Sequence, residues 1–185
     1  MLTTFRRKKR GSSLAEFGPA MWVFLMVIII PLIDLFSFMW GVGTVMLASN
    51  LCASKAAGSR TYSEAIKAVN EVEDNLAGFR GFAKLSPTDK SPRGVKLQVI
   101  ANSTSGGPGA PTVYAPPPVA DKIPTDRATL DTTLYHYHVT AAYDVQPLFN
   151  FSGMEIFSKV PGLGMPVPVV YTSSSIVEHP DGLND

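Results

Sequence analysis

Residues 17–40 read FGPAMWVFLMVIIIPLIDLFSFMW and carry one charge, Asp34. As a helix these 24 residues measure about 36 Å, enough to cross a hydrocarbon core of about 30 Å with some tilt. The segment Phe17 to Trp40 is therefore read as a membrane span. Pro19 falls in the first turns, where a missing N–H costs little. Pro31 lies deeper and predicts a kink or a local opening of the helix. A cleavable secretory signal has a shorter apolar stretch, about 7–15 residues, and a small-residue cleavage site; none follows here. A lipoprotein reading of Cys52 fails because Leu51 stands where a small residue is expected.

Composition agrees with an anchored protein. Of 185 residues, 45% are apolar and 17% charged, against about 25% charged in an average soluble domain. Five of the 16 basic residues form one run, Arg6 to Arg10; without it 11 basic residues face 15 acidic ones, a balance of −4. That balance argues against a nucleic-acid partner, while the run itself places the N-terminus in the cytoplasm. One cysteine excludes an internal disulfide framework and a cysteine-cluster zinc site. There is no glycine-rich phosphate loop and no H-E-x-x-H. The chain reads as a structural protein, not an enzyme, with no cofactor and no metal.

The junction before the span is more specific. Gly11 closes the basic run, and Glu16 and Phe17 follow at a fixed distance in GSSLAEF. With its short basic leader, Pro-containing apolar run and IDLFSF, this order resembles the TadE-like minor pseudopilins of the Tad (tight adherence) branch of type IV pilin-like proteins. Pro19 comes earlier and Asp34 slightly later than that pattern expects. The resemblance covers residues 6–57 most closely and 134–178 less so. It implies cleavage by a prepilin peptidase between Gly11 and Ser12, and an assembly role for Glu16 and Phe17. The new α-amine on Ser12, charged below a pKa of about 8, would meet the Glu16 carboxylate of a staggered neighbour in low dielectric. Implied partners are the peptidase, membrane lipid, a major Flp-type pilin, a second minor pseudopilin and an inner-membrane assembly platform. The implied setting is the bacterial inner membrane, single-pass, with the C-terminal domain periplasmic or carried into a pilus that serves adhesion, biofilm formation or secretion.

Outward from the span, the expected organisation is a leader (1–11), a transmembrane and stalk helix (12–58) and an outer domain (59–185). Asp34 falls near the outer interface, either snorkelling or touching a partner helix. The stalk is rich in Gly, Ala and Ser, suited to close packing. Gly41 and Gly43 mark a weak point in it. Cys52 is either a small buried residue or an intersubunit disulfide partner. Thr61-Tyr62-Ser63-Glu64 forms a capping box, followed by an apolar stripe of Ile66, Val69, Val72, Leu76 and Phe79. That second, amphipathic helix should end near Gly78 or Gly81 and cover a sheet.

Alternation predicts strands over 94–101, 134–145 and 167–178. The middle one has an apolar face (Tyr135, Tyr137, Val139, Ala141, Tyr143, Val145) and a polar one (His136, His138, Thr140, Asp144). TVYA, inside the proline-rich loop 102–133, offers a short edge strand; the loop itself is either a contact surface or disordered. The expected fold is α+β and pilin-like: long helix, second helix, and an antiparallel sheet of about three to four strands. His136 and His138 share a face as metal ligands can, but neither Asp144 nor His179 is placed by spacing as a third. A second functional class stays open, an uncleaved, signal-anchored envelope binding domain. A metalloenzyme built on the two histidines is a third.

Overall fold

The computed structural model describes residues 12–88, 93–104, 111–114, 123–153, 155 and 158–185, with side chains from Phe17 onward except Arg127. Helix α1 (Ser12–Phe24) runs through a single π turn (Leu25–Ile29) into α2 (Ile30–Ala57), so one helical rod extends from Ser12 to Ala57. Pro31 explains the π turn. Its ring leaves no room for the carbonyl of Val27, and the helix opens there: the Ile30 N–H bonds the carbonyl of Leu25, five residues back. The rod stays helical through Gly41 and Gly43, where residue type alone predicts a weak point.

The rod ends at Gly58, and the Ala57 carbonyl it leaves free accepts the N–H of Glu178. Helix α3 (Tyr62–Asn75) follows. Thr61 caps it, accepting the N–H of Glu64 at 3.2 Å. Glu64 returns a bond to the N–H of Arg60, one residue earlier than a standard capping box. The chain breaks at Leu76 and a short helix α4 (Ala77–Phe82) completes the helical part.

All strand pairs are antiparallel. The strands are β1 (Leu85–Pro87), β2 (Val95–Ser103), β3 (Thr112–Tyr114), β4 (Thr133–Val145) and β5 (Val167–Ile176), with a short α5 (Arg127–Leu130) before β4. The central strand is β4. One edge of it pairs with β2 and, further along, with β1; the other pairs with β5; β3 lies outside β2. Among the described residues, five strands thus replace the three to four expected. The extra one is β1, only three residues long and with no alternation to reveal it. The observed class is otherwise as read: α+β, a long apolar N-terminal helix and an antiparallel sheet.

The predicted apolar face of β4 is the buried one: Tyr135, Tyr137, Val139, Ala141, Tyr143 and Val145 all face the helices. Against them α2 turns Asp34, Ser37, Gly41, Val45, Ala48, Ser49, Cys52, Ala53 and Ala56. These residues recur three or four apart, which is one face of a helix. They are small, so the sheet comes close. The Ser49 hydroxyl donates to the Val139 carbonyl at 3.1 Å. A Cβ on Gly41 would lie 2.7 Å from Cγ1 of Val145.

Most of the expected stripe is inside: Val69 and Leu76 are buried and Ile66 and Val72 pack against the core, while Phe79, in α4, is exposed. Tyr62, Ala65 and Glu73 are buried with them, because α3 packs chiefly on α2 and also reaches β2, as in the bond of the Tyr62 hydroxyl to the Leu97 carbonyl.

The two stalk glycines give opposite expectations. A Cβ added at Gly43 would meet nothing within 4 Å, so Gly43→Ala should stabilise by up to about 1 kcal/mol through helix propensity. Gly41→Ala gains the same propensity but must push β4 away, and should lower the thermal midpoint. Melting both variants in detergent by circular dichroism checks the pair; equal shifts would contradict the close packing.

Candidate functional site

The rod divides into two halves of different chemistry. From Phe17 to Ile33 its side chains are exposed or only partly covered, and almost all are apolar. From Asp34 on, one face is buried under the outer domain. One helix, Phe17–Ala57, is long and apolar enough to cross a membrane. The division falls at Asp34, inside the segment read as the span, so the outer domain reaches lower on the helix than the apolar pattern predicts.

Asp34 is covered by the outer domain within its own chain. It is 1% exposed. Its Oδ1 accepts the N–H of Phe149 at 2.8 Å, tying the connector between β4 and β5 to the rod. Its Oδ2 has no hydrogen-bond partner among the described residues. Beside it is a cleft of about 370 Å³ lined by Pro31, Leu35, Phe38 and the turn Pro161–Leu163, where Gly162 adopts φ +82°.

On another flank of the rod, Phe36 and Trp40 line an open groove with Phe79 and Phe82 of α4. Trp40 and Phe82 meet edge to face, ring centroids 6.0 Å apart.

A second buried acid, Glu73, has no signature in the sequence. It is 1% exposed and sits between α3, the start of β2 and β4. Its Oε1 accepts the Gly94 N–H at 3.2 Å and the Tyr143 hydroxyl. Arg80 lies 3.5 Å from Oε1 and Arg93 3.6 Å from Oε2. Arg93 also reaches Asp74 at 3.3 Å and donates to the Asn70 carbonyl at 3.0 Å. A buried carboxylate needs such partners to offset its lost hydration. Gly94 permits the approach, since a Cβ there would fall inside the Tyr143 ring. The network joins helix α3 to the sheet.

The other candidates are scattered. Gly11 lies outside the described residues. Ser12 opens α1, and Glu16 lies within α1, its side chain outside the described set. Phe17 is exposed. His136 and His138 stand on the face of the sheet turned away from the helices, paired across strands with Ile100 and Ile176, and with Gln98 and Ser174. Asp144 accepts the Thr88 hydroxyl, and His179 lies past the end of β5. Among the described residues no three His, Cys, Asp or Glu gather as a metal site. Cys52 is buried between α2 and α3, its thiol 3.8 Å from the Val69 carbonyl, so an intersubunit disulfide would require the domain to open. Of the proline-rich loop, β3 is the edge strand read from TVYA. The loop's return is pinned where Asn184 bonds both the N–H and the carbonyl of Ile123.

No family model, curated protein or solved structure matches this chain.

Asp34→Ala removes the acceptor for the Phe149 amide and should cost about 1–3 kcal/mol; hydrogen exchange should quicken at the amides of 148–151 and leave β2 and β4 unchanged. A second expectation concerns alkaline pH. Burial raises the phenols of Tyr62 and Tyr137 from 10 to about 12. Tyr143 is raised further, by burial first and then by its bond to Glu73. The folded state keeps these phenols protonated while the unfolded chain releases the protons near pH 10. Stability is thus unaffected by them below about pH 10 and falls above it, by about 1.4 kcal/mol per pH unit for each phenol. Denaturant titrations from pH 8 to 11.5 should show this, with a shallower fall in Tyr143→Phe.

Proposed function

We propose that this chain is a membrane-anchored assembly subunit, a minor pseudopilin of the TadE-like kind, matured by cleavage between Gly11 and Ser12. One observation supports the reading above the others: a single rod whose first half is bare and apolar and whose second half is the spine of an α+β domain. That is the shape a subunit needs if it is to be stored in a bilayer and later hand the same apolar helix to neighbouring helices.

In this reading Arg6 to Arg10 hold the leader in the cytoplasm until a prepilin peptidase removes residues 1–11. The new amine of Ser12 and the carboxylate of Glu16 then pair between staggered subunits. Each is costly alone at the edge of an apolar phase, so their pairing favours leaving the membrane for the assembly. The partners are a major Flp-type pilin, a second minor pseudopilin and the assembly platform of the bacterial inner membrane. The outcome is a Tad-type pilus used in adhesion, biofilm formation or secretion.

The test is N-terminal mass spectrometry of membrane-extracted protein, co-expressed with a prepilin peptidase. The mature chain should begin at Ser12, Gly11→Ala should stay uncleaved, and Glu16→Ala should be cleaved yet fail to join the assembly. A wild-type chain that still begins at Met1 or Leu2 would instead establish the uncleaved, anchored binding domain.

A further inference from the structure

The bare half of the rod is short for the task assigned to it. Between the charges Glu16 and Asp34 lie 17 residues, about 25 Å of helix at most, and less across the bilayer if the rod tilts. A hydrocarbon core is about 30 Å thick. With Glu16 at one boundary, the other falls about three residues beyond Asp34, at the level of Phe36 to Trp40. The rod is not alone at that level. The connector is tied to it at Asp34 through Phe149, and α4 stands against Phe36 and Trp40.

Both flanking segments turn large apolar side chains outward there. Phe82 is 68% exposed and Phe149 41% exposed, and Phe79, Met39 and Met165 are exposed with them. In water this surface is unfavourable, and it adjoins the rod at Phe36 and Trp40, which line one groove with Phe79 and Phe82. Asp34 is covered by protein, which removes most of the cost a free acid would carry there. Two lysines belong to the same segments. Lys84 donates to the Leu148 carbonyl at 2.8 Å, and Lys159 is exposed; the connector's described acid is Glu155. Aromatic rings with lysines beside them are what a lipid–water interface selects.

We infer that the outer domain does not stand clear of the membrane but is seated in it. Phe79 and Phe82 of α4 on one flank and Phe149 and Met165 of the connector on the other form a collar around the rod, immersed in the lipid interface. The inference rests on the membrane reading above. It goes further in giving the outer domain a lipid contact of its own, which must be broken when the subunit leaves the bilayer.

The chain has two tryptophans, Trp22 in the bare half and Trp40 at the collar, so depth can be read by fluorescence. The full chain is reconstituted in phosphatidylcholine vesicles containing lipid brominated near the carbonyl end of the acyl chains. Four single-tryptophan forms are compared: Trp22 alone (Trp40→Phe), and Phe82→Trp, Phe149→Trp or Val113→Trp with both native tryptophans replaced by Phe. Val113 is exposed on β3, at the far edge of the sheet. Circular dichroism establishes that each form is folded. The collar predicts strong quenching at Phe82→Trp and Phe149→Trp and none at Val113→Trp. Quenching of Trp22 without quenching at either collar position overturns the inference and leaves the span intact. Loss of quenching at Trp22 as well removes the membrane reading and the inference together. A collar emission that escapes bromine but shifts to the blue as protein concentration rises would assign the surface to a second copy of the chain, and would also overturn it.

Discussion

The architecture depends on how closely one helix and one strand approach. The inward face of β4 carries three tyrosines, two valines and an alanine, and it can be buried only if something flat lies against it. The small-residue stripe of α2 supplies that flatness: Gly41, Ala48, Ser49, Ala53 and Ala56 let the sheet descend until the Ser49 hydroxyl reaches a β4 carbonyl. A bulky residue at any of them would lift the sheet and expose the strand. The stripe that composition suggests for helix–helix packing is here the bed for a sheet as well as the seat of α3.

Two buried acids hold the periphery to this centre. Asp34 ties the connector to the rod at the lower end of the interface, and Glu73 ties α3 and α4 to the sheet beside it. One oxygen of each is hydrogen-bonded: by a backbone amide in Asp34, and by an amide and a phenol in Glu73, which also has two guanidinium groups beside it. Such contacts add little net stability over an apolar core, but they are costly to mispair, so they define where the connector and the short helix sit.

That placement gives the molecule its functional asymmetry. The bare half of the rod continues into exposed aromatic residues of the outer domain, so one end of the protein is apolar over a surface wider than a helix. The opposite face of the sheet is mixed, its two histidines, threonines and serines interleaved with exposed Leu134, Val170 and Ile176. In the proposed role, a subunit that exchanges lipid for protein neighbours would use the first kind of surface.

Local pattern is sufficient for much of this. The 24-residue apolar run, the alternation over β2, β4 and β5, the Thr61 cap and the stop at Gly58 are all set by neighbours a few residues apart, where helix and strand periodicities act. The inward and outward faces of β4 are legible for the same reason, because side-chain direction in a strand has period two. Which face of each helix is buried is legible only in part: Val69 and Leu76 are inside as their spacing predicts. Phe79 belongs to the apolar stripe of α3 by spacing, yet the break at Leu76 rotates it outward. Glu73 turns inward because distant groups converge on it, among them the Gly94 amide 21 residues away and the Tyr143 phenol 70 residues away. Asp34 has the pattern of an interfacial charge because nothing within a helical turn can cover it; its partner is the amide of Phe149, 115 residues distant. Residue order along the chain was thus enough to specify the helices, the main strands and the apolar rod. Where the rod ceases to be bare was settled by the folded domain, since that boundary depends on contacts between segments that periodicity does not connect.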